Sequence, residues 1–327
     1  MALGRRSLLL AAGGLTVGGL AACGRRTGQG GGATTLRVGV YKGGVETFLA
    51  AAGQANTPYR VQASEFGGGN LITEALMSGA LDLGSMSEIP PIFVAASRPD
   101  IRQVAVLKGD VNSQMVLVPA NSSIASPADL KGRQVGYVRA TTSHYLLLRL
   151  LAEHGLGFRD IRPVALSPQD GRTAFEHGGL EAWVAYGVPA EAVRATVGAR
   201  VLARGLGRLS GNYLYAATPA ALADPARRAA IVDYLARVQR AYRWADANAA
   251  AWAKLVADAT GVPAALYERQ RLERSGPTLL AAVDAAAVAS QQTVADRFLQ
   301  AGVVPRRVDV APLWDKTLNT ELSASWS

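Results

Sequence analysis

The chain has 327 residues, 49% of them hydrophobic, with 34 basic against 25 acidic side chains and a formal net charge of +9. That hydrophobic share excludes an intrinsically disordered chain, and the length allows two lobes. The positive balance does not point to nucleic acid, because the arginines are scattered among alanines rather than gathered in a stripe interleaved with aromatics.

Arg5-Arg6 form a charged start, and Ser7 to Ala22 is an apolar run of small residues, too short and glycine-rich for a permanent membrane span. The run ends in Leu20-Ala21-Ala22-Cys23, which resembles the lipobox of bacterial lipoproteins. The reading is a signal peptide over residues 1–22, lipidation of Cys23, and a glycine-rich tether over residues 23–35. Arg5-Arg6 before Ser7-Leu8-Leu9 is compatible with either general or twin-arginine export. Cys23 is the sole cysteine, so a disulfide within the chain is excluded.

Leu36 to Val40 is predicted as the first strand, ending at Tyr41-Lys42-Gly43-Gly44, with a helix from Val45 to Ala55 and a second strand from Arg60 to Glu65. The first lobe is arranged around Phe66 to Pro91. Gly67-Gly68-Gly69 lead to Asn70 as a helix cap, and Leu71, Ile72, Ala75, Leu76 and Gly79 then share one helical face. Residues 80–84 read as a short buried strand, and Ser85 to Glu88 lead into Pro90-Pro91. With a further strand from Ile101 to Leu107, the β-α-β-α alternation predicts a mostly parallel sheet with helices on both faces.

Gln114 to Pro119 begins a second β-run. Gln134 to Val138 is a strand, Ala140 to Ser143 a polar loop, and His144 to His154 a helix that stops at Gly155. A strand from Ile161 to Leu166, a helix opened by Ser167-Pro168 and running to His177, and a strand from Ala182 to Tyr186 follow. Strands at 201–203 and 213–217 carry the chain back. From Asp224-Pro225 to about Ala301 the pattern is helix upon helix, and a polar tail from Val303 to Leu322 is expected to wrap the first lobe. The expected organisation is a first lobe of residues 36–112 and 213–327, a second lobe of residues 113–212, and crossings near 109–114 and 208–212.

The chemistry inventory is sparse. His144, His154 and His177 are the three histidines, and none stands at metal-ligand spacing from another His, a Cys or a carboxylate. No nucleophile elbow, Walker loop or dinucleotide fingerprint is present, so neither cofactor nor turnover is expected. A glycine-rich approach to a helix start can hold an anion through backbone N–H groups. Alone, it does not separate an anion site from an ordinary loop entering a core helix.

Three stretches taken together are more specific: Glu74 to Gly84 followed by Ser87-Glu88-Ile89-Pro90-Pro91, then Ser143 to Leu147, then Ser167 to Glu176 followed by Glu181-Ala182-Trp183. They resemble the substrate-binding proteins of aliphatic sulfonate ABC importers, with the similarity running from Leu36 to Leu202 and more loosely beyond. The resemblance implies a type II periplasmic-binding-protein fold: α/β, two lobes with a ligand cleft between them and a helical C-terminal part. It implies a binding protein rather than an enzyme, extracytoplasmic, monomeric, held at the membrane by its lipid, and partnered by an ABC permease and its ATPase. Binders of taurine and nitrate share this shape, as do enzymes of thiamine-precursor and menaquinone synthesis, against which the lipobox argues. One departure is plain: where sulfonate binders commonly continue Trp-Asp-Pro, this chain has Ala185-Tyr186-Gly187-Val188-Pro189.

A sulfonate is ionised at any physiological pH and only accepts hydrogen bonds, so its site should present donors. The expected ligand-binding residues are Lys42, Gly43, Gly69, Asn70, Ser87, Glu88, Thr142, Ser143, His144, Tyr145 and Tyr186. Ser143 reads either as a helix cap or as a ligand contact, and His144 and Tyr145 either line the cleft or pack. Glu88 beside an anion would orient neighbouring amides or meet a polar group at the far end of the ligand. Tyr186-Gly187 in place of Trp-Asp predicts that alkyl or aryl sulfonates bind better than taurine, whose ammonium needs a carboxylate in a desolvated cleft.

Overall fold

The computed structural model describes residues 34–95 and 100–326; the predicted signal peptide, Cys23 and nearly all of the tether lie outside the described residues. The strands in chain order are β1 (Thr35–Val40), β2 (Arg60–Glu65), β3 (Leu83–Ser87), β4 (Arg102–Lys108), β5 (Gln114–Val118), β6 (Gln134–Tyr137), β7 (Arg162–Ala165), β8 (Ala182–Tyr186), β9 (Arg200–Arg204), β10 (Asn212–Ala217) and β11 (Leu279–Ala281). They make two sheets, ordered β11-β4-β10-β3-β1-β2 and β7-β6-β8-β5-β9. The chain passes between the sheets twice, at residues 109–113 and 205–211.

The helices are α1 (Gly69–Met77), α2 (Pro90–Ala95), α3 (Thr142–Glu153), α4 (Pro168–Glu176), α5 (Gly187–Thr196), α6 (Pro219–Ala223), α7 (Pro225–Ala247), α8 (Ala249–Thr260), α9 (Ala264–Glu273), α10 (Ala285–Gln300) and α11 (Asn319–Trp326). In the second sheet, α3 packs Leu146, Leu147, Leu150 and Leu151 onto Val116, Val135 and Val184, as its heptad-like leucine spacing requires. In the first, Leu36, Val38 and Leu83 face Tyr234 and Leu235 of α7, while Ile72 and Leu76 of α1 join Leu214 and Phe298 on the other side.

Both sheets are mixed rather than mostly parallel. β1 runs parallel to β2 and β3, but β10 is antiparallel to β3 and β4, and β5 is antiparallel to β8 and β9. The strands that follow the two crossings, β5 and β10, enter their sheets in the reverse direction, which an alternation of elements along the sequence does not reveal.

Three local expectations also change. Val45 to Ala55 forms only a 3-10 turn at Val45–Thr47, followed by turns that end at Gly53 with φ +70°. β3 begins at Leu83, not at residue 80. Gly79 adopts φ +72°, and the amides of Ala80 and Leu81 donate to Ala75 O, so these residues are consumed in closing α1. The tail wraps the first lobe, with Gln103 bridging to Trp314, but its inner face is apolar: Val304, Val308, Val310, Leu313, Leu318 and Leu322 are buried. Just before β3, buried Asp82 accepts from Arg37 Nη2 at 2.6 Å, Arg37 Nε at 3.0 Å and Arg227 Nη1 at 3.3 Å. Burial raises the Asp82 pKa, but Arg37 and Arg227 outweigh it and hold the carboxyl below its usual range.

Candidate functional site

The ends of β1 to β4 in one sheet and of β6 to β8 in the other face each other across a cavity of about 770 Å3. This is within the usual size of a small-molecule site, at the strand ends where α/β sheets bind ligands. Its walls come from both lobes: Tyr41, Lys42 and Phe66 to Gly69 on one side, Thr141, Thr142, Gln169 and Tyr186 on the other, Gly68 excepted from the lining itself.

Helices α1, α3 and α5 start at this cavity, and none of the three carries a side-chain cap: their N-cap residues are Gly68, Thr141 and Tyr186. The Thr141 hydroxyl instead donates to Val138 O at 2.7 Å. Side-chain caps are present on α6 (Thr218), α7 (Asp224) and α10 (Asp284), and on α4, whose Pro168 and Gln169 also line the cavity and whose cap is Ser167; α8 and α9 lack one. The first amides of a helix have no intrahelical acceptor and carry the positive end of its dipole, so the cavity collects N–H donors.

Gly67, Gly68 and Gly69 do not occupy positive φ; they are small because neighbours come close. A Cβ on Gly67 would stand 3.2 Å from Gln169 Oε1, one on Gly68 3.3 Å from Tyr186 Oη, and one on Gly69 2.9 Å from Met86 Cβ and 3.1 Å from Tyr41 Oη. Two side chains of the second lobe thus reach over the glycine run of the first. The Tyr186 hydroxyl lies near Thr141, is buried, and has no hydrogen-bond partner among the described residues. Burial pushes the phenol up to about 12, so it is a neutral donor at any physiological pH.

Beside it runs a chain of hydrogen bonds that joins the lobes. Thr142 Oγ1 donates to Gln114 Oε1 at 2.5 Å, Gln114 Nε2 donates to Tyr213 Oη at 3.1 Å, and Tyr213 Oη donates to Asp110 O at 2.9 Å. Tyr41 Oη donates to Ser85 O at 2.9 Å. Burial raises both phenols well above their ordinary range. Asp110 lines the cavity, but its carboxylate already accepts from the amides of Asn112, Ser113 and Ser275 and from the Ser275 hydroxyl.

Of the residues singled out in the sequence, Lys42, Gly69, Ser87, Thr142 and Tyr186 line the cavity. Gly43, with φ +72°, lies against Thr260 and Val188 just outside that lining. Asn70 does not cap α1, because the helix begins one residue earlier and Gly68 is the N-cap. Ser143 is inside α3, where its hydroxyl accepts from Val138 N at 3.1 Å and donates to Val184 O at 2.6 Å, tying the helix to β8. His144 is buried among Phe93, Tyr137, Phe158 and Phe298, stacked on Phe93 at 6.2 Å. That burial, with a smaller contribution from the charge of Arg139, lowers its pKa to about 4. Tyr145 packs on Phe298, and the Glu88 carboxylate turns away from the cavity toward Ser210 and Asn212.

Several lining residues escaped the sequence reading. Gln169 was within reach of it, as the second residue of a helix opened by Ser167-Pro168. Tyr242, Thr260 and Gln270 come from α7, α8 and α9, more than a hundred residues from the glycine run, and nothing local marks them.

Comparison with known proteins agrees with this geometry. The family described as NMT1/THI5 like matches residues 60–248. A curated protein of Escherichia coli (strain K12), named for binding aliphatic sulfonates, is 34% identical over 294 residues, covering 86% of this chain and 89% of that protein. The alkanesulfonate-binding protein SsuA from Xanthomonas axonopodis pv. citri, solved bound to MOPS, superposes with a TM-score of 0.79 at 31% identity, covering 86% of this chain and 98% of that one. The periplasmic aliphatic sulphonate binding protein SsuA from Escherichia coli gives a TM-score of 0.75 at 33% identity over 88% and 94% of the two chains. The chain belongs to the NMT1/THI5-like family and, within it, to the aliphatic sulfonate-binding proteins of periplasmic-binding-protein fold.

Proposed function

We propose that the protein is the extracytoplasmic binding component of an ABC importer, holding an organosulfonate between its lobes and delivering it to a permease and its ATPase. The observation that carries this reading is the Tyr186 hydroxyl, a buried donor without a partner among the described residues, reaching from one lobe to the uncapped start of α1 in the other. A sulfonate supplies three acceptor oxygens, a full negative charge and no proton, which is the complement of such a site. The head group is assigned to the amides of Gly69 and Asn70, the Tyr186 hydroxyl and the start of α3 at Thr142, with Lys42, Gly43 and Ser87 around it. Phe66, Leu107, Val188 and Tyr242 leave an apolar wall for the organic tail, and a relative solved with MOPS accommodates a sulfonate bearing a bulky ring.

An ammonium on the tail finds poor provision here. Asp110 is saturated by the amides of Asn112 and Ser113 and by Ser275, Glu88 faces elsewhere, and Glu65 lines the cavity but is exposed to solvent. Alkyl and aryl sulfonates are therefore the assigned class. The protein acts as a monomer anchored through lipid on Cys23, which mass measurement of the N-terminal peptide checks directly. A thermal-shift series with butanesulfonate, benzenesulfonate, MOPS, taurine and nitrate tests the site. Ligand at a hundred times its dissociation constant adds about 2.7 kcal/mol, and recovery of the ligand unchanged separates binding from turnover. No shift with any sulfonate contradicts the reading.

A further inference from the structure

The two crossings between the lobes are laced together beside a buried carboxylate, that of Glu88, which holds the second of them. Gly109 N donates to Gly211 O at 3.0 Å, and Lys108 Nζ donates to Asn212 Oδ1, so the first crossing is laced to the second where each leaves the first sheet. Gly211 takes φ +73°, and a Cβ there would stand 3.0 Å from Gly109 O, so the approach needs glycine. Glu88, only 3% exposed, completes the junction from the end of β3. Its Oε1 accepts from Ser210 Oγ at 2.5 Å and Ser290 Oγ at 3.3 Å, and its Oε2 accepts from Asn212 Nδ2 at 3.5 Å.

Glu88 is itself held from behind. Its amide donates to Asn212 O at 3.3 Å, and its carbonyl accepts from Gln291 Nε2 at 2.7 Å. Gln291 is in turn fixed by Gln103 at 2.9 Å and by the Trp314 indole at 2.7 Å. The hydroxyl of Ser210 accepts from Asn212 N at 3.0 Å, which leaves its proton for Glu88. Burying a carboxylate is costly unless it is well hydrogen-bonded, and no cation among the described residues touches this one; Lys108 acts on it through Asn212. An acid kept under those terms at the first-lobe end of the second crossing does more than fill space.

We infer that Glu88 is a positioning residue for ligand capture: it fastens the second crossing to the first lobe at Ser210 and Asn212, confines bending to residues 205–209, and so sets the separation of the lobes. Hinges are a few residues that absorb the change in φ and ψ, and their extent fixes how far the lobes can swing. Releasing the fastening lengthens the flexing segment and widens the range of lobe separations. Apparent affinity then falls in proportion to the fraction of molecules in the capturing geometry. The effect on affinity rests on the interlobe binding proposed above; the effect on lobe separation does not.

The test uses the full chain with Cys23→Ser, so that spin labels attach only to cysteines introduced at Ala51 in the first lobe and Ser123 in the second, both exposed. Pulsed electron–electron distance measurement is made without ligand, and butanesulfonate is titrated in parallel. Glu88→Ala and Ser210→Ala are expected to broaden the distance distribution and to weaken butanesulfonate by about tenfold. Glu88→Gln, which keeps an acceptor for Ser210, is expected to retain the parent distribution. A folded Ser210→Ala protein with the parent distribution overturns the inference, and it can be read even where Glu88→Ala does not fold. Absence of butanesulfonate binding in the parent protein refutes the sulfonate reading and leaves the distance comparison standing.

Discussion

Replacing Tyr186 by phenylalanine separates a binding role from a structural one, because the two roles move stability in opposite directions. The Tyr186 hydroxyl is buried and has no partner among the described residues. Such a group costs roughly 1–3 kcal/mol. Tyr186→Phe keeps the ring and removes the cost, so the ligand-free variant should gain about 1 kcal/mol, or about 2 °C in melting temperature for a chain of this size. With ligand bound, the same hydroxyl donates to an anionic oxygen. A hydrogen bond to a charged acceptor contributes about 1.5–3 kcal/mol, so butanesulfonate affinity should fall roughly 10- to 150-fold. Differential scanning calorimetry of the ligand-free variant and titration calorimetry with butanesulfonate read the two arms on one preparation. A higher melting temperature with weaker binding is the expected signature. Unchanged affinity, or a melting temperature lowered by several degrees, refutes the assignment of Tyr186 as a head-group donor.

Three further substitutions probe other parts of the structure. Gly69→Ala places a Cβ 2.9 Å from Met86 Cβ and 3.1 Å from Tyr41 Oη, so denaturant unfolding should show a loss of about 1–3 kcal/mol with sulfonate binding weakened beyond tenfold; parent-like binding would clear the α1 start of a role. His144 is held neutral by burial, with its pKa lowered to about 4. An unfolded histidine takes up a proton near pH 6.5 while the folded one does not, so stability should be lost as pH falls from about 6.5 to 4, by up to about 3 kcal/mol. His144→Gln should remove that slope relative to the parent in unfolding curves across this window, and identical slopes would count against the buried neutral state. Asp82→Asn leaves Arg37 and Arg227 without their shared carboxylate and should cost about 3 kcal/mol, at the low end for a broken buried pair because Arg37 is partly exposed; a loss below about 1 kcal/mol in urea unfolding would show the cluster to be surface-like.

Much of this arrangement could be read from sequence because it is written locally. The glycine run, the leucine stripe of α3 and the Ser167-Pro168 helix start each carry a pattern within a dozen residues. Even there the boundaries moved by small amounts with chemical consequences: α1 starts at Gly69 rather than after Asn70, so the cap is a bare backbone and the donors stay free. What stayed hidden depends on contacts far apart in the chain. Tyr186 and Gly68 are brought together only by docking of the lobes, and Glu88 meets Ser210 and Ser290 only because the second crossing and α10 converge on it. The histidine that looked available as a cleft residue is enclosed by four aromatic rings from several elements, and no helical pattern within α3 distinguishes that outcome.

Titration calorimetry of the purified protein with butanesulfonate, benzenesulfonate and taurine tests the central claim most directly. A cavity with free helix amides, in which Asp110 is saturated and Glu65 is exposed to solvent, predicts one site per chain, with both hydrocarbon sulfonates bound tighter than taurine by about tenfold, or about 1.4 kcal/mol. Taurine binding as tightly as the other two, or no heat from any of the three, would contradict it.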